Sequence, residues 1–178
     1  MSDLLERTTY LPGHQPITNV DYAPTPEDLD YMALAVDLGR TALNNGTTPI
    51  GSVLVHLPTS EHWTGVNTEF SDRDLRGHPE QNAYEKARDR LGRDLAQCAL
   101  YTTAEPCVGC TYMYDKGNLG MLFVGARRRD VPDFFRNRGI DMHSILSESR
   151  RSFTVISGLM LAESKDLLKP ENNVHSAS

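Results

Sequence analysis

Two short segments restrict this chain more than any other feature: "GHPEQNA" around His78 and "AEPCVGC" around Cys107. Pro79 follows His78, and Pro106 precedes Cys107. In a helix interior, residues two apart point about 200° away from each other. His78 and Glu80 therefore converge only where a helix begins and the cap residue is not yet helical. Pro79 favours a start there, because proline fits the first helical turn and breaks later ones. Cys107 and Cys110 stand at i and i+3, on one helix face. Near that helix's first turn the dipole favours thiolates. The spacing makes sense when both helices aim their N-termini at one point.

One imidazole nitrogen and two thiolates form a donor set suited to zinc. Structural zinc has four protein ligands, whereas catalytic zinc keeps a position open. His78, Cys107 and Cys110 are thus the candidate ligands of a reactive Zn2+, and Glu80 is a carboxylate beside the metal. Each half alone is a weak signal. His-x-Glu arises by chance among six histidines, and Cys-x-x-Cys also serves as a redox pair or structural clip. Their order, Pro106 and a strand-to-helix junction before each half carry the combination.

The remaining sequence supplies those strands and helices. Residues 1–24 are polar and contain Pro12, Pro16 and Pro24, which predicts an irregular surface arm. A helix is predicted in "TPEDLDYMALAVDLGRTAL", with Thr25 as N-cap, Pro26 at its first position and acidic residues in its first turn. Leu29, Ala33, Val36 and Leu43 are its expected apolar face. "PIGSVLVH" (49–56) reads as a buried strand, with "EHWTGVN" (61–67) its neighbour across a turn. A helix over about 79–91 spaces Ala83, Ala87 and Leu91 four apart. "CALYTT" (98–103) and "LGMLFVGA" (119–126) are strands on either side of a short helix at 107–117. "RSFTVISG" and "LMLAESKDLL" give a last strand and helix, and residues 170–178 a disordered tail. Residues 25–169 are then one catalytic domain, an α/β sandwich around a single sheet.

Charge narrows the partners. Acidic residues exceed basic ones 24 to 18, so the net charge of −6 repels nucleic acid at long range. Arg127, Arg128 and Arg129 form a local basic cluster, which reads first as a solvated turn after a strand. A small-molecule substrate is favoured over nucleic acid. The opening "MSDLLERTTYLPGHQP" has no basic segment followed by a long apolar run, and no stretch approaches the ~18 apolar residues that span a bilayer. Three cysteines do not make a disulfide framework, so the expected compartment is the reducing cytoplasm, without a membrane partner.

The combined pattern resembles the zinc-dependent cytidine deaminase superfamily, whose signature pairs His-x-Glu with Pro-Cys-x-x-Cys and uses the Glu as general acid/base. "TPIGSVLV", "TGVN", "HPEQNA", "LYTTAEPCVGC" and "LGMLFVGA" follow that family's order from about residue 26 to 126. "PIG" and "LYTT" before the cysteines resemble most the branch of cytosine, guanine and tRNA adenosine deaminases. Two positions depart from the pattern: Pro79, where most members have Ala or Gly, and Val108-Gly109 between the cysteines.

The resemblance implies a three-layer α-β-α sandwich around a mixed five-stranded sheet, and a homodimer. It implies hydrolytic loss of the exocyclic amine of a nucleobase, nucleoside or related amino-heterocycle, of cytosine or guanine type. Glu80 would move the protons, and Asn67, from the "G-x-N" segment, would hydrogen-bond the ring edge. Phe134 and Phe135 are read first as core packing and second as a stacking lid. Cys98 and Trp63 are read as packing residues. The competing readings are tRNA adenosine deaminase-like editing and a zinc-binding scaffold of the same fold without turnover.

Overall fold

The computed structural model describes residues 5–132 and 139–174. Its sheet contains strands β1 (Glu6–Tyr10), β2 (Ile17–Asn19), β3 (Gly51–His56), β4 (Glu61–Val66), β5 (Cys98–Ala104), β6 (Met121–Ala126) and β7 (Phe153–Ser157). They lie in the order β2-β1-β7-β6-β5-β3-β4. β5, β6 and β7 run parallel; β3, β4, β1 and β2 pair antiparallel with their neighbours. The sheet is mixed, as the resemblance implies, but it has seven strands and not five. Both additions come from the segment expected to be an irregular arm. Residues 6 to 10 of that arm pair in continuous register with β7, Glu6 opposite Ser157 and Tyr10 opposite Phe153.

Helix α1 (Pro26–Asn44) covers one face of the sheet together with α5 (Leu161–Leu167). Thr25 caps α1 as expected. Its side chain accepts from the Asp28 N–H, and the Asp28 carboxylate accepts from the Thr25 N–H, a reciprocal pair worth roughly 1 kcal/mol. Asp28 also accepts from Tyr101 Oη at 2.7 Å and Tyr22 Oη at 2.8 Å. The buried stripe is Asp28, Met32, Ala35, Val36, Gly39 and Ala42, one step round from the expected face, and Leu29 is exposed. The Asp28 bonds fix this rotation, because they require a polar residue to face inward.

The opposite face carries α2 (Pro79–Leu91), α3 (Val108–Lys116) and α4 (Met142–Ser147). Leu54, Leu100, Leu122, Val124 and Val155 point to them, alongside Ala83, Ala87, Tyr114, Met142 and Leu146. Alternate strand residues Val53, Val55, Tyr101, Phe123 and Ile156 pack on the α1 side. This period-two division makes the predicted three layers. The short helix α4 was not anticipated. The expected tail at 170–178 begins with a 3-10 turn, Pro170–Asn172, tied by Asn172 Nδ2 to the carbonyls of Asp166 and Leu167. Residues 175–178 lie outside the described residues. Among the described residues no helix is long and apolar enough to cross a membrane.

Two glycines set the spacing between layers. A Cβ on Gly51 would stand 2.2 Å from Ala35 O, and one on Gly65 would stand 1.7 Å from Pro79 O. β3 thus touches the backbone of α1, and β4 touches the first turn of α2.

Candidate active site and metal centre

β5 ends at Ala104, and Pro106 turns the chain so that Cys107 caps α3 in an extended conformation. His78 caps α2 in the same way, with Pro79 at the first helical position. The two helix starts meet, as the spacing predicts. His78 Nδ1 lies 3.5 Å from Cys107 Sγ and 3.7 Å from Cys110 Sγ. All three ligand atoms fall within 4.8 Å of one another. Tetrahedral zinc, with Zn–S ~2.3 Å and Zn–N ~2.0–2.1 Å, sets nitrogen and sulfur roughly 3.6 Å apart. The residues present therefore fit zinc in separation as well as in donor chemistry. Cys107 is exposed and Cys110 buried, so the cluster opens to one side.

Electrostatics follow from this crowding. A hydrogen bond from Cys110, against the cost of burial, holds the Cys107 thiol down at about 4, and His78 adds to it. The same bond, with burial, pushes Cys110 up. Without metal the two cysteines share one negative charge, and the contact with Cys107 raises His78 to about 9. Glu80 is 3% exposed. Its burial pushes the carboxyl up, the Cys107 charge adds to this, and His78 opposes it. A raised carboxyl suits a group that takes and returns a proton.

Several neighbours fix these groups. Tyr114 Oη on α3 donates to the Glu80 backbone carbonyl at 2.8 Å, joining the two helix starts. Thr102 Oγ1 stands 3.4 Å from Glu80 Oε1 and receives a hydrogen bond from Ser52 Oγ at 3.0 Å. Asn82 Nδ2 donates to Val66 O at 2.8 Å and to Thr68 Oγ1 at 3.1 Å, clamping α2 to the segment after β4. Asn67 sits in that segment, 3% exposed. Its Oδ1 accepts from Thr47 Oγ1 at 2.5 Å and from the Glu69 N–H at 3.2 Å. Glu69 Oε2 also lies 3.9 Å from His78 Nε2, which links Asn67 to the ligand side of the site.

The structure thus brings His78, Cys107, Cys110 and Glu80 together, with Asn67 one residue-link away. Thr47, Gln81, Asn82, Thr102 and Tyr114 escaped the sequence reading. Only Asn82 and Gln81, immediately behind His-x-Glu on α2, stood where a signal existed. Phe134 and Phe135 lie outside the described residues. Cys98 is 1% exposed, and burial raises its thiol to about 11, so it behaves as a small apolar residue. Trp63 packs partly buried against the α2-side core. Arg127 pairs with Asp130 at 2.5 Å and Glu6 at 3.3 Å, and Arg129 pairs with Glu6. The Arg128 N–H donates to Glu105.

Comparison with known proteins agrees with this geometry. The cytosine deaminase of Candida albicans is 29% identical over 87 residues, covering 49% of this chain and 58% of that protein. A tRNA-specific adenosine deaminase of Buchnera aphidicola is 30% identical over 105 residues, covering 58% of this chain and 69% of that protein. The chain therefore spans less than two thirds of the length of the first relative. In three dimensions the guanine deaminase of Nitrosomonas europaea superposes with a TM-score of 0.66, at 22% identity, over 84% of this chain and 86% of that one. Residues 25–125 match the cytidine and deoxycytidylate deaminase zinc-binding region, and the chain belongs to that family.

Proposed function

We propose that this protein is a zinc-dependent hydrolytic deaminase of a small amino-heterocycle, a nucleobase, nucleoside or related ring. The observation that carries this reading is the placement of Glu80. It is a buried carboxylate beside a three-ligand set, and it is not itself a member of that set. A purely structural zinc site has no use for such a group.

His78, Cys107 and Cys110 would hold the metal. Zinc supplies Lewis acidity, which makes water a nucleophile near neutral pH. Glu80 accepts a proton from that water and delivers it to a ring nitrogen. With the oxygen then bonded to the carbon that carries the amine, the same carboxyl would take the second proton from that new hydroxyl and pass it to the departing amine as the carbon–nitrogen bond breaks. Water and the amino-heterocycle become the oxo-heterocycle and ammonia, with Glu80 restored. Thr102 and the buried wall behind it orient Oε1. Asn67, whose carbonyl oxygen is already engaged, presents its Nδ2 amide to an acceptor on the ring edge.

Editing of a tRNA base is the second reading, and it draws on the likeness to the Buchnera enzyme. The acid partners of Arg127 and Arg129 weigh against it, because guanidinium groups already paired with Glu6 and Asp130 offer little to a phosphate backbone. A homodimer and a cytoplasmic location complete the proposal, and sedimentation at micromolar concentration tests the first.

The decisive experiment measures ammonia release by the zinc-loaded protein. The panel holds cytosine, guanine, adenine, their nucleosides and nucleotides, other aminated heterocycles and an RNA hairpin, with Glu80→Gln as blank. Turnover of one free ring or nucleoside is the expected result. Turnover of the hairpin alone establishes the second reading. Silence across the panel with zinc bound supports the scaffold.

A further inference from the structure

Gln81 occupies the third helical position of α2, where a Gln or Glu side chain ordinarily folds back onto the N–H of the cap residue. That N–H is already satisfied here, because His78 N donates to Arg76 O at 2.7 Å. The Gln81 side chain instead crosses to α3, and its Nε2 lies 3.7 Å from Cys110 Sγ. This distance is within the longer reach of hydrogen bonds to sulfur. Cys110 has no exposed surface, so water does not compete for that sulfur. The amide orientation is fixed by chemistry, since Oε1 and a thiolate are both acceptors and only Nε2 carries protons.

We infer that Gln81 is a positioning residue of the metal centre, donating an N–H to the Cys110 thiolate from the neighbouring helix. The inference rests on the reading of His78, Cys107 and Cys110 as zinc ligands. A thiolate that accepts an N–H shares part of its charge. It gives less electron density to the metal, and it keeps one lone pair aimed at Gln81 and another at the ligand position. Outer-shell bonds of this kind are typically worth 10–100-fold in metal affinity or activity. The bond also couples the two helix starts across the site, and Tyr114 of α3 donates the opposite way, to the Glu80 carbonyl of α2.

The test uses the full chain filled with zinc or with cobalt(II), comparing wild type with Gln81→Leu, Gln81→Met and Gln81→Glu. Leu and Met keep the bulk without the donor, and Glu sets a second negative group against the sulfur. The sulfur-to-cobalt charge-transfer band should move to lower energy in both neutral variants, because the sulfur holds its electrons less tightly without the N–H. Zinc should pass to a chelator about 10–100-fold faster, because the loss of the bond that holds the sulfur in place outweighs the stronger donation of a freed thiolate. Gln81→Glu, whose carboxylate repels the sulfur from that place, should lose zinc at least as fast. Melting of the metal-free proteins should change little, and if one neutral variant fails to fold the other decides.

A charge-transfer band unmoved in the folded variants overturns the inference, even if zinc leaves faster, because packing alone explains that. A wild-type protein with no thiolate-to-cobalt band overturns the ligand reading beneath it.

Discussion

Thr47 holds Asn67 by its carbonyl oxygen. The Thr47 hydroxyl donates to Asn67 Oδ1 at 2.5 Å, the Glu69 N–H donates to the same oxygen, and no described residue takes Nδ2. A side-chain amide has two acceptor sites on oxygen and two donors on nitrogen. With the oxygen saturated, Asn67 can offer the substrate donors alone. In the substrate-binding role proposed for Asn67, the ring would present an acceptor, such as a carbonyl oxygen or an unprotonated nitrogen. Asn67→Asp replaces those donors with an acceptor, and kcat/KM should fall at least ~10²-fold, the cost of leaving buried polar groups unpaired. Steady-state kinetics on the substrate identified by ammonia release decide this. A fall under threefold would remove Asn67 from the substrate site.

Glu80→Gln keeps the shape of the side chain and removes its ability to exchange a proton. Turnover should drop by the ~10²–10⁴ typical of a lost general acid/base, with zinc content unchanged. Metal analysis and rate are measured on the same preparation. A near-native rate with native zinc assigns the proton transfers to another group.

How much of this was readable beforehand differs between elements. α2 begins at Pro79 and ends at Leu91 as expected, because proline and the ligand spacing leave one place for its start. β3, β5, β6 and β7 were legible from their apolar runs, and β4 from the turn that sets it beside β3. β1 was not, since "ERTTY" has no such run and becomes a strand only through β7, far along the chain. The face of α1 was misjudged because Asp28 turns inward, where Tyr22, Tyr101 and the Thr25 N–H satisfy it. At the site, His78, Glu80, Cys107 and Cys110 carry a chemical signature in their spacing. Thr47, Gln81 and Thr102 are ordinary residue types, and only the fold shows what they touch.

Asp28 makes acid stability measurable. Burial pushes its carboxyl up, but hydrogen bonds from the Thr25 N–H, Tyr101 and Tyr22 outweigh this and leave it below the ordinary value. A carboxyl depressed in the folded state stabilises the fold above its unfolded pKa of ~3.9. That stabilisation is lost as pH falls through the folded value, since the unfolded chain binds the proton more readily. Asp28→Asn should cost about 1–3 kcal/mol at pH 7 and flatten the decline between about pH 4 and the folded value. Urea midpoints at several pH values read both effects. Equal acid slopes in the two proteins would assign the decline to other carboxylates.

Removing the metal should weaken the protein without dissolving its fold. Both faces of the sheet carry continuous apolar cores formed by residues other than the ligands' side chains, such as Leu54, Leu100 and Val155 on one side and Val53, Phe123 and Ile156 on the other. Zinc at 100 times its Kd contributes about 2.7 kcal/mol by mass action. A chelator should lower Tm by several degrees while far-ultraviolet dichroism at 25 °C stays near native. Complete unfolding on chelation would mean that the sheet depends on the metal.

Gly65 tests whether the sheet places the site. A Cβ at this position would stand 1.7 Å from Pro79 O and 2.9 Å from Ala83 N, so the first turn of α2 must move if any side chain is added. That turn carries Glu80 and follows directly on His78, whereas Cys107 caps α3 and Cys110 lies within it, and the atoms nearest the added Cβ all belong to α2. Gly65→Ala should therefore pull the two halves of the ligand set apart by shifting one of them. Zinc affinity should fall at least tenfold, in the range expected of a disturbed ligand shell, and stability should drop by ~1–3 kcal/mol through overpacking. Gly109→Ala is the control, because its Cβ would meet only Cys107 Sγ at an ordinary 3.8 Å. Competition with a chromogenic chelator gives the affinities, and thermal unfolding of the metal-free proteins gives the stabilities. If Gly65→Ala loses stability but binds zinc as tightly as wild type, α2 has moved as a unit with its ligand held by α3, and the close approach of β4 serves packing alone.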